Sequence, residues 1–273
     1  MKPLCGIKIV NLAANLPGPA AAQRLCGLGA EAVKVEAPSG DPMEIYHAGW
    51  YRAMAEGQTL VRLDLKSDQG RAELDRLLGS ADLLISASRP AAMERLGLGW
   101  DALHQKFPRL CQVAIVGFPA PRENEAGHDL TYQASLGLLT PPHMPRTLLA
   151  DMAGAEMTVS SALALLLGRE RGGEPGYAEV ALSEAAASLA EPLRYGCTAP
   201  GAILGGGIPE YNLYQTADGW VAVAALEPHF KKRLEDALTI ATPEQYRGAF
   251  VDQNSAYWQA WGQQYDVPIE TVR

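Results

Sequence analysis

Residues 7–36, IKIVNLAANLPGPAAAQRLCGLGAEAVKVE, carry the pattern that predicts the fold class of this 273-residue chain. Alternating and β-branched residues at 7–10 and 32–36 predict two strands. The small-residue segment 20–28 predicts a helix between them, and Pro-Gly-Pro at 17–19 separates this helix from the first strand. A strand, a helix and a second strand in so short a segment indicate a βαβ unit, whose two strands run parallel.

The alternation of strands and helices continues outward from this unit as far as residue 116. The further predicted elements are, in chain order, strand 59–65, helix 69–78, strand 82–86, helices 91–96 and 100–106, and strand 110–116. Strands that alternate with helices of this length predict an α/β domain with a doubly wound parallel sheet. Such sheets bind ligands at the carboxyl ends of their strands, so the loops that follow strands are the first places to look for functional residues.

The chain changes in character after about residue 145. The elements predicted there are helices 152–167 and 183–195, hairpin strands 211–215 and 220–224 around an Asp-Gly turn, and helices 228–238 and 255–265. We therefore predict a large α/β domain over residues 1–200, a glycine-rich linker at 201–209, and a smaller α+β domain over residues 210–273.

Composition excludes several classes of protein. The apolar share of 48% and charged share of 20% are those of a globular protein, not of a disordered chain. A net charge of −8 argues against nucleic acid or an anionic membrane as the partner. The longest apolar run, residues 159–167, is about half of the ~20 residues that a membrane span needs. The chain is predicted to be soluble and cytoplasmic.

Metal, nucleotide and serine-hydrolase motifs are absent from the sequence. The four cysteines are scattered, with no C-x-x-C pair, and are predicted to be reduced thiols: Cys5, Cys26, Cys111 and Cys197. No histidine stands at metal-ligand spacing from them, so no metal site is predicted. Neither G-x-G-x-x-G between a strand and a helix nor a Walker lysine pattern is present, which argues against NAD and ATP. No G-x-S-x-G elbow is present.

Four polar residues are candidates for chemistry, and each also has a purely structural interpretation. His128 and Asp129 lie where an open α/β sheet places its ligands, or they form a surface pair in a turn. Asp151 opens a helix, either as an N-cap or with its carboxylate facing a cleft beside free backbone N–H groups that would bind an oxyanion. Glu227 follows the second hairpin strand and is otherwise an exposed glutamate of a first helical turn.

Seven strings, taken in order, resemble one known family. They are Pro17-Gly18-Pro19; LGA at 28–30 with VKVE at 33–36; LDLKSDQGR at 63–71; Arg89-Pro90 with ERLGLG at 94–99; GHD at 127–129 with Tyr132; Asp151; and TADGWVAVAALEPHF at 216–230. In this order the chain resembles the class III CoA-transferase superfamily, of CaiB/BaiF type. Within it, the chain is most similar to the α-methylacyl-CoA racemase branch.

The resemblance implies a Rossmann-like large domain, a small domain and an interlocked homodimer. It implies that a coenzyme A thioester is the substrate, that no cofactor is required, and that His128 and Asp151 are an acid/base pair on opposite faces of the α-carbon. The resemblance also implies that Glu227 hydrogen-bonds His128 and that Asp129 supports Asp151. In the transferase branch, the aspartate that matches Asp151 is instead a nucleophile.

The part of the family that binds coenzyme A is altered in this chain. Ala37 stands where a basic residue usually follows VKVE, and residues 55–59 read AEGQT where a basic string is usual. The remaining candidates for contacts to coenzyme A are Lys34, Arg62, Arg89, Arg95 and Tyr132, with Lys66 and Arg71 nearby.

Family members also continue beyond the point that matches residue 273, so the chain is either a compact variant or lacks part of the usual structure. The leading expectation is an acyl-CoA racemase or epimerase acting on a 2-methyl-branched acyl-CoA. The alternatives are an acyl-CoA:carboxylate CoA-transferase and a degenerate, non-catalytic family member.

Overall fold

The computed structural model describes residues 2–273, which divide into two compact units. The first unit ends at Leu189 and the second is Ala190–Arg273, so the boundary precedes the predicted one at residue 200. The predicted linker at 201–209 lies inside the second unit. Its backbone is folded on itself, because the N–H of Gly207 donates to the carbonyl of Ala202 at 2.8 Å. The glycines there serve a tight loop and not a flexible connection.

The first unit contains a six-stranded sheet in which all neighbouring strands are parallel. Its strands are β1 (Lys8–Asn11), β2 (Glu31–Glu36), β3 (Gln58–Arg62), β4 (Leu83–Ser86), β5 (Cys111–Val116) and β6 (Tyr177–Ala181). Their order is β3-β2-β1-β4-β5-β6, which confirms the predicted doubly wound topology. The direction of winding reverses between β1 and β4, and this reversal opens a crevice at the carboxyl ends of those two strands.

Helices cover both faces of this sheet. They are α1 (Pro17–Gly27), α2 (Pro42–Ala55), α3 (Asp68–Leu78), α4 (Pro90–Arg95), α5 (Trp100–Lys106), α6 (Asp129–Ser135), α7 (Leu149–Glu170) and α8 (Leu182–Leu189). On one face Ile9 of β1 shares an apolar cluster with Leu25 of α1 and Ala162 of α7. On the other, Val10 shares a cluster with Leu74 of α3. Successive residues of one strand thus serve two cores, as the two-residue period of a strand requires.

Helix α7 has the length and composition of a membrane span, the only helix among residues 2–273 that does. Its mean hydropathy reaches 1.2 over 18 residues. The core helix of a globular protein meets the same criterion, and α7 packs against α1, α8 and β5. At the contact with α8, a Cβ on Gly154 would lie 2.2 Å from a methyl carbon of Leu182, so the two helices approach closely because residue 154 is glycine.

The second unit has a three-stranded antiparallel sheet covered by short helices. Its elements are α9 (Glu191–Arg194), β7 (Tyr211–Gln215), β8 (Trp220–Ala224), α10 (Pro228–Leu238), α11 (Pro243–Ala249), α12 (Ser255–Tyr265) and β9 (Ile269–Thr271). The hairpin of β7 and β8 and the helices α10 and α12 confirm the predicted bounds. An aromatic core holds the unit together, in which the rings of Tyr214 and Phe250 stack with centroids 4.8 Å apart.

Candidate active site

A cavity of about 620 Å³ lies in the first unit at the carboxyl ends of β1, β4 and β5. Its wall includes the loop after β1, the loop after β4, the segment 123–128 and the first turn of α7. A second cavity of about 420 Å³ extends toward β2 and the loop after β3, and both cavities are lined by Leu12, Ala14 and Ser88. Together they occupy the crevice at which open α/β sheets bind their ligands.

The first turn of α1 explains why this crevice lacks the phosphate site of a dinucleotide-binding fold. Two of its first three residues, Pro17 and Pro19, have no backbone N–H to offer an anion. Gly18 stands between them because the helix approaches the preceding loop closely, and a Cβ there would lie 2.1 Å from the Cβ of Ala13. The Pro-Gly-Pro string therefore shapes the wall of the cavity and offers an anion fewer N–H groups than a helix start usually has.

His128 immediately precedes α6 and lines the larger cavity. Its backbone is held on both sides by one side chain: Thr131 Oγ1 accepts from the N–H of His128 at 3.1 Å and donates to its carbonyl at 2.7 Å. The residue as a whole is exposed. Local hydrogen bonds to Thr131 thus fix the backbone of His128 at the start of α6.

Asp129 is buried and serves as the cap of another helix. Its Oδ1 accepts from the backbone N–H groups of Ala150 at 2.6 Å and Asp151 at 3.2 Å, and its Oδ2 accepts from Gln133 Nε2 at 2.6 Å. These contacts correct two expectations. Asp151 is not an N-cap, since α7 begins two residues earlier at Leu149, and the N–H groups of Ala150 and Asp151 are not free to bind an oxyanion.

Asp151 places a carboxyl group with an unusual pKa in the same cavity as His128. The pKa of Asp151 is raised to about 6: burial is the largest cause, the negative charge of Asp129 also raises it, and the proximity of His128 lowers it. A carboxyl group with a pKa near 6 can both hold and release a proton close to neutral pH. The structure therefore brings together His128 and Asp151, with Asp129 holding the turn on which Asp151 lies.

Asp129→Asn is expected to lower the pKa of Asp151. The amide keeps an oxygen for the two N–H groups but removes a negative charge, so the carboxylate of Asp151 becomes easier to form. The pKa should remain above its ordinary value because burial is the larger cause. A ¹³C titration of labelled aspartate carboxyls, with the signal of Asp151 assigned by its own substitution, measures the change. The exposed variant Asp101→Asn should leave that signal in place, and an unchanged or raised pKa in Asp129→Asn would contradict the assignment.

Tyr132 also belongs to the larger cavity. It is 1% exposed and lies in α6, with its hydroxyl next to Gly117 and Gly127. Burial raises the pKa of Tyr132, and the carboxylates of Asp151 and Asp129 raise it further. The residue therefore accompanies the acid/base candidates, and its implied contact to coenzyme A stays a prediction.

The predicted basic residues are distributed unevenly. Arg89 is exposed and lines the larger cavity, and Lys66 is exposed and lines the smaller one. Arg62 and Arg95 are exposed but line neither of these two cavities. The Arg62 guanidinium lies 3.6 Å from Glu36 and 3.7 Å from Glu44. Of the basic residues named from the sequence, Arg89 and Lys66 are therefore the two that line these cavities.

Lys34 was expected to contact the phosphates of coenzyme A, and the structure buries it instead. It is 1% exposed, and its Nζ donates to Glu36 at 2.9 Å and also to Asp41. The same amine lies 4.7 Å from the centroid of the Tyr51 ring. Asp41 in turn accepts from the backbone N–H of Asn15, which lines the larger cavity, at 3.0 Å. Lys34 therefore stabilises the wall of the crevice through buried ion pairs, and its amine is not available to a phosphate.

Lys34→Met is expected to lower the free energy of unfolding by about 3 kcal/mol, because it removes the buried cation that the carboxylates of Glu36 and Asp41 share. Urea unfolding followed by circular dichroism measures the loss. Lys232→Met is the matched control, since Lys232 pairs with Asp236 on the exposed surface of α10 and should leave stability nearly unchanged. Equal stability of the two variants would contradict a role for Lys34 in the fold.

Glu227 lies in the second unit, at the residue that precedes α10. It is exposed, and its carbonyl accepts from the N–H of Lys231 at 3.0 Å, as the residue before a helix commonly does. Its local structure is that of a helix start. The role implied for its carboxylate therefore stays a prediction.

Residues 4–273 match the sequence profile described as CoA-transferase family III. A probable fatty acyl-CoA transferase of Mycobacterium tuberculosis is 30% identical over 268 residues, which cover 85% of this chain and 68% of the relative. Human α-methylacyl-CoA racemase is 32% identical over 259 residues, covering 88% and 66% of the two chains. The succinyl-CoA–D-citramalate CoA-transferase of Chloroflexus aurantiacus is 30% identical over 262 residues, covering 87% and 65%. The chain thus spans about two thirds of the length of these relatives.

Solved structures share the fold of this chain. The crystal structure of a hypothetical protein from Mycobacterium tuberculosis superposes with a TM-score of 0.84 at 26% identity, covering 100% of this chain and 86% of the other. A CAIB/BAIF family protein from Brucella suis superposes with a TM-score of 0.83 at 23% identity, covering 99% and 84%, and supports the fold.

Proposed function

The chain belongs to the CoA-transferase family III, and from this premise we propose that it is an acyl-CoA racemase or epimerase. It inverts the α-carbon of a 2-methyl-branched acyl-CoA by 1,1-proton transfer. The observation that carries the proposal is that His128 and Asp151 line one cavity, in which the pKa of Asp151 is raised to about 6.

The two residues have the properties that such a reaction needs. A base must remove the proton from the carbon next to the thioester, and the electron pair of the broken C–H bond then forms an enolate. An acid on the opposite face must return a proton to the same carbon. In one direction Asp151 is the base and His128 the acid, and in the other direction they exchange these roles. No net change in protons or electrons results.

The division of the crevice suggests how the substrate is bound. We assign the acyl thioester to the larger cavity, because the acid/base pair lies there. The smaller cavity, which Lys66 lines, then takes part of the coenzyme A moiety. Arg89 provides a positive charge at the larger cavity for an anionic group of the same ligand. Glu227 is proposed to orient His128 by a hydrogen bond, and two chains are proposed to form an interlocked homodimer.

A CoA-transferase is the second candidate, and the transferase of Chloroflexus aurantiacus among the relatives favours it. Asp151 would then attack the thioester carbonyl as a nucleophile, form a mixed anhydride and release the thiolate of coenzyme A. The thiolate would attack the Asp151 carbonyl, release the first acid and leave a CoA thioester on Asp151. A second carboxylate would attack the Asp151 thioester, form a new mixed anhydride and release the thiolate again. The thiolate would then attack the carbonyl of the second acid, which gives the new CoA thioester and frees the Asp151 carboxylate. His128 has no required part in this sequence.

One assay separates these candidates. A single enantiomer of a 2-methylacyl-CoA is incubated with the protein in deuterated buffer and then examined by mass spectrometry and chiral analysis. The racemase proposal expects deuterium at the α-carbon together with loss of enantiomeric purity. An unchanged enantiomer, with transfer of coenzyme A to an added carboxylate, would replace the proposal with the transferase. If neither reaction occurs and calorimetry detects no binding of acetyl-CoA, the chain is a non-catalytic member of the family.

A further inference from the structure

The hydroxyl of Tyr132 occupies a site that two glycines keep open. Gly117 directly follows β5, and Gly127 directly precedes His128. A Cβ on either glycine would lie 2.5 Å from the Tyr132 oxygen, far inside van der Waals contact. Phe118 holds the ring edge-on, with centroids 5.2 Å apart and planes at 82°. The phenol is therefore fixed in direction by its surroundings.

This hydroxyl lacks the partner that other buried tyrosines of the chain have. Tyr51 donates to Glu36 at 2.7 Å, Tyr214 to the carbonyl of Pro209 at 2.6 Å, and Tyr246 to Glu235 at 3.2 Å. No group within residues 2–273 accepts a hydrogen bond from Tyr132, although the residue is 1% exposed. A buried tyrosine hydroxyl usually has a partner. Since Tyr132 lines the larger cavity, its donor is available to a ligand there.

The charges around the phenol keep it a donor. The carboxylates of Asp151 and Asp129 both oppose its ionisation, as does burial, so the O–H remains protonated near neutral pH. Two neighbouring donors are already used, because the N–H groups of Ala150 and Asp151 both donate to Asp129. Tyr132 therefore offers a hydrogen bond to an oxygen that becomes negative beside Asp151.

We propose that Tyr132 is a catalytic residue whose hydroxyl donates a hydrogen bond to the thioester oxygen as that oxygen becomes an enolate oxygen. This inference rests on the proposed function, since it requires a thioester in the larger cavity. When Asp151 or His128 removes the α-proton, the C–H electron pair forms the C=C bond and the carbonyl π pair moves to oxygen. Tyr132 keeps its proton throughout, and the negative charge returns to carbon when the other base delivers a proton.

The test is Tyr132→Phe, which removes the hydroxyl and keeps the ring. We expect kcat for inversion to fall about 100-fold, the effect of losing one oxyanion donor, while KM stays within about threefold. The second readout is the ultraviolet enolate band of bound acetoacetyl-CoA, which reports ionisation next to a thioester without any turnover. Its ionisation should need a higher pH in the variant than in the wild type, by about one unit for a tenfold loss of enolate stabilisation.

Two further variants complete the design. Gly117→Ala keeps the tyrosine but displaces its hydroxyl, so it should shift the ionisation of acetoacetyl-CoA in the same direction. It also replaces Tyr132→Phe if that variant does not fold. Tyr246→Phe removes a buried hydroxyl from the second unit and should leave both readouts unchanged.

The outcomes distinguish this inference from the function on which it rests. If the wild type inverts no substrate but Tyr132→Phe still raises the pH at which bound acetoacetyl-CoA ionises, the racemase proposal fails and the role of Tyr132 stands. Unchanged ionisation in Tyr132→Phe overturns the inference whatever the activity. Loss of acetoacetyl-CoA binding in the variant alone assigns Tyr132 a structural role and overturns it as well. A wild type that does not bind acetoacetyl-CoA overturns both proposals.

Discussion

Asp151→Asn is expected to lower the rate of inversion at the α-carbon by about 10²- to 10⁴-fold, the contribution typical of a positioned acid or base. The amide has nearly the shape of the carboxyl group but cannot accept the α-proton, so the substrate should still bind while one of the two proton transfers is lost. Chiral analysis of a single enantiomer of the acyl-CoA, at saturating concentration, measures the loss. The exposed variant Asp101→Asn should invert at the wild-type rate.

Stability provides a second readout that separates lost chemistry from lost fold. The pKa of Asp151 in the native protein is about 6, above its ordinary value of 3.8, so between these values the native state binds more protons than the unfolded chain. The stability that Asp151 contributes is therefore present below about pH 4 and lost as the pH rises through about 6. Asparagine does not titrate. Urea unfolding measures the free energy of unfolding of the variant minus that of the wild type. This difference should be more favourable to Asp151→Asn at pH 7.5 than at pH 3.5.

An Asp151→Asn protein that is folded and still inverts its substrate within tenfold of the wild-type rate would remove Asp151 from the acid/base pair. The opposite pattern, a variant unfolded at both pH values, would show that the side chain is needed for the start of α7. Neither result is expected, because Asp129 caps this turn through backbone N–H groups that asparagine at 151 retains.

Much of the fold is predictable because its elements carry local signals. The hairpin of β7 and β8, which has an Asp-Gly turn, and the helices α5, α10 and α12 have the bounds predicted from the sequence. β6 was missed, since the five residues of Tyr177–Ala181 carry no distinct alternation and form a strand by pairing with β5, far away in sequence. α2 was also missed; in the structure it is interrupted near its middle at His47, which has non-helical dihedrals.

The candidate site was predictable in its residues but not in their partners. His128 and Asp151 follow from short strings that resemble a family, whereas the cap that Asp129 places on α7 joins residues more than twenty positions apart. For Lys34 the sequence did contain a usable signal. A strand with helices on both faces of its sheet buries side chains of both orientations, so a lysine in it must be buried and paired. The two carboxylates that pair with it, Glu36 and Asp41, are close in sequence.

His128→Gln is expected to separate proton exchange from inversion. If His128 and Asp151 act on opposite faces, each base removes the α-proton of one enantiomer only. The variant should therefore incorporate deuterium into the enantiomer whose proton faces Asp151, with retained configuration, and fail to exchange the other. Inversion itself should fall about 10³-fold, because no acid remains to deliver a proton to the second face.

The reciprocal result in Asp151→Asn makes this prediction specific, since exchange should then survive only in the opposite enantiomer. His143→Gln is the matched control, because His143 is an exposed histidine of the same unit that does not line the larger cavity. Inversion within tenfold of the wild-type rate in His128→Gln would show that His128 is not the second base. Loss of exchange for both enantiomers would show instead that Asp151 cannot remove a proton unaided. Transfer of coenzyme A that persists in His128→Gln but not in Asp151→Asn would identify Asp151 as a nucleophile, because that chemistry needs the carboxylate alone.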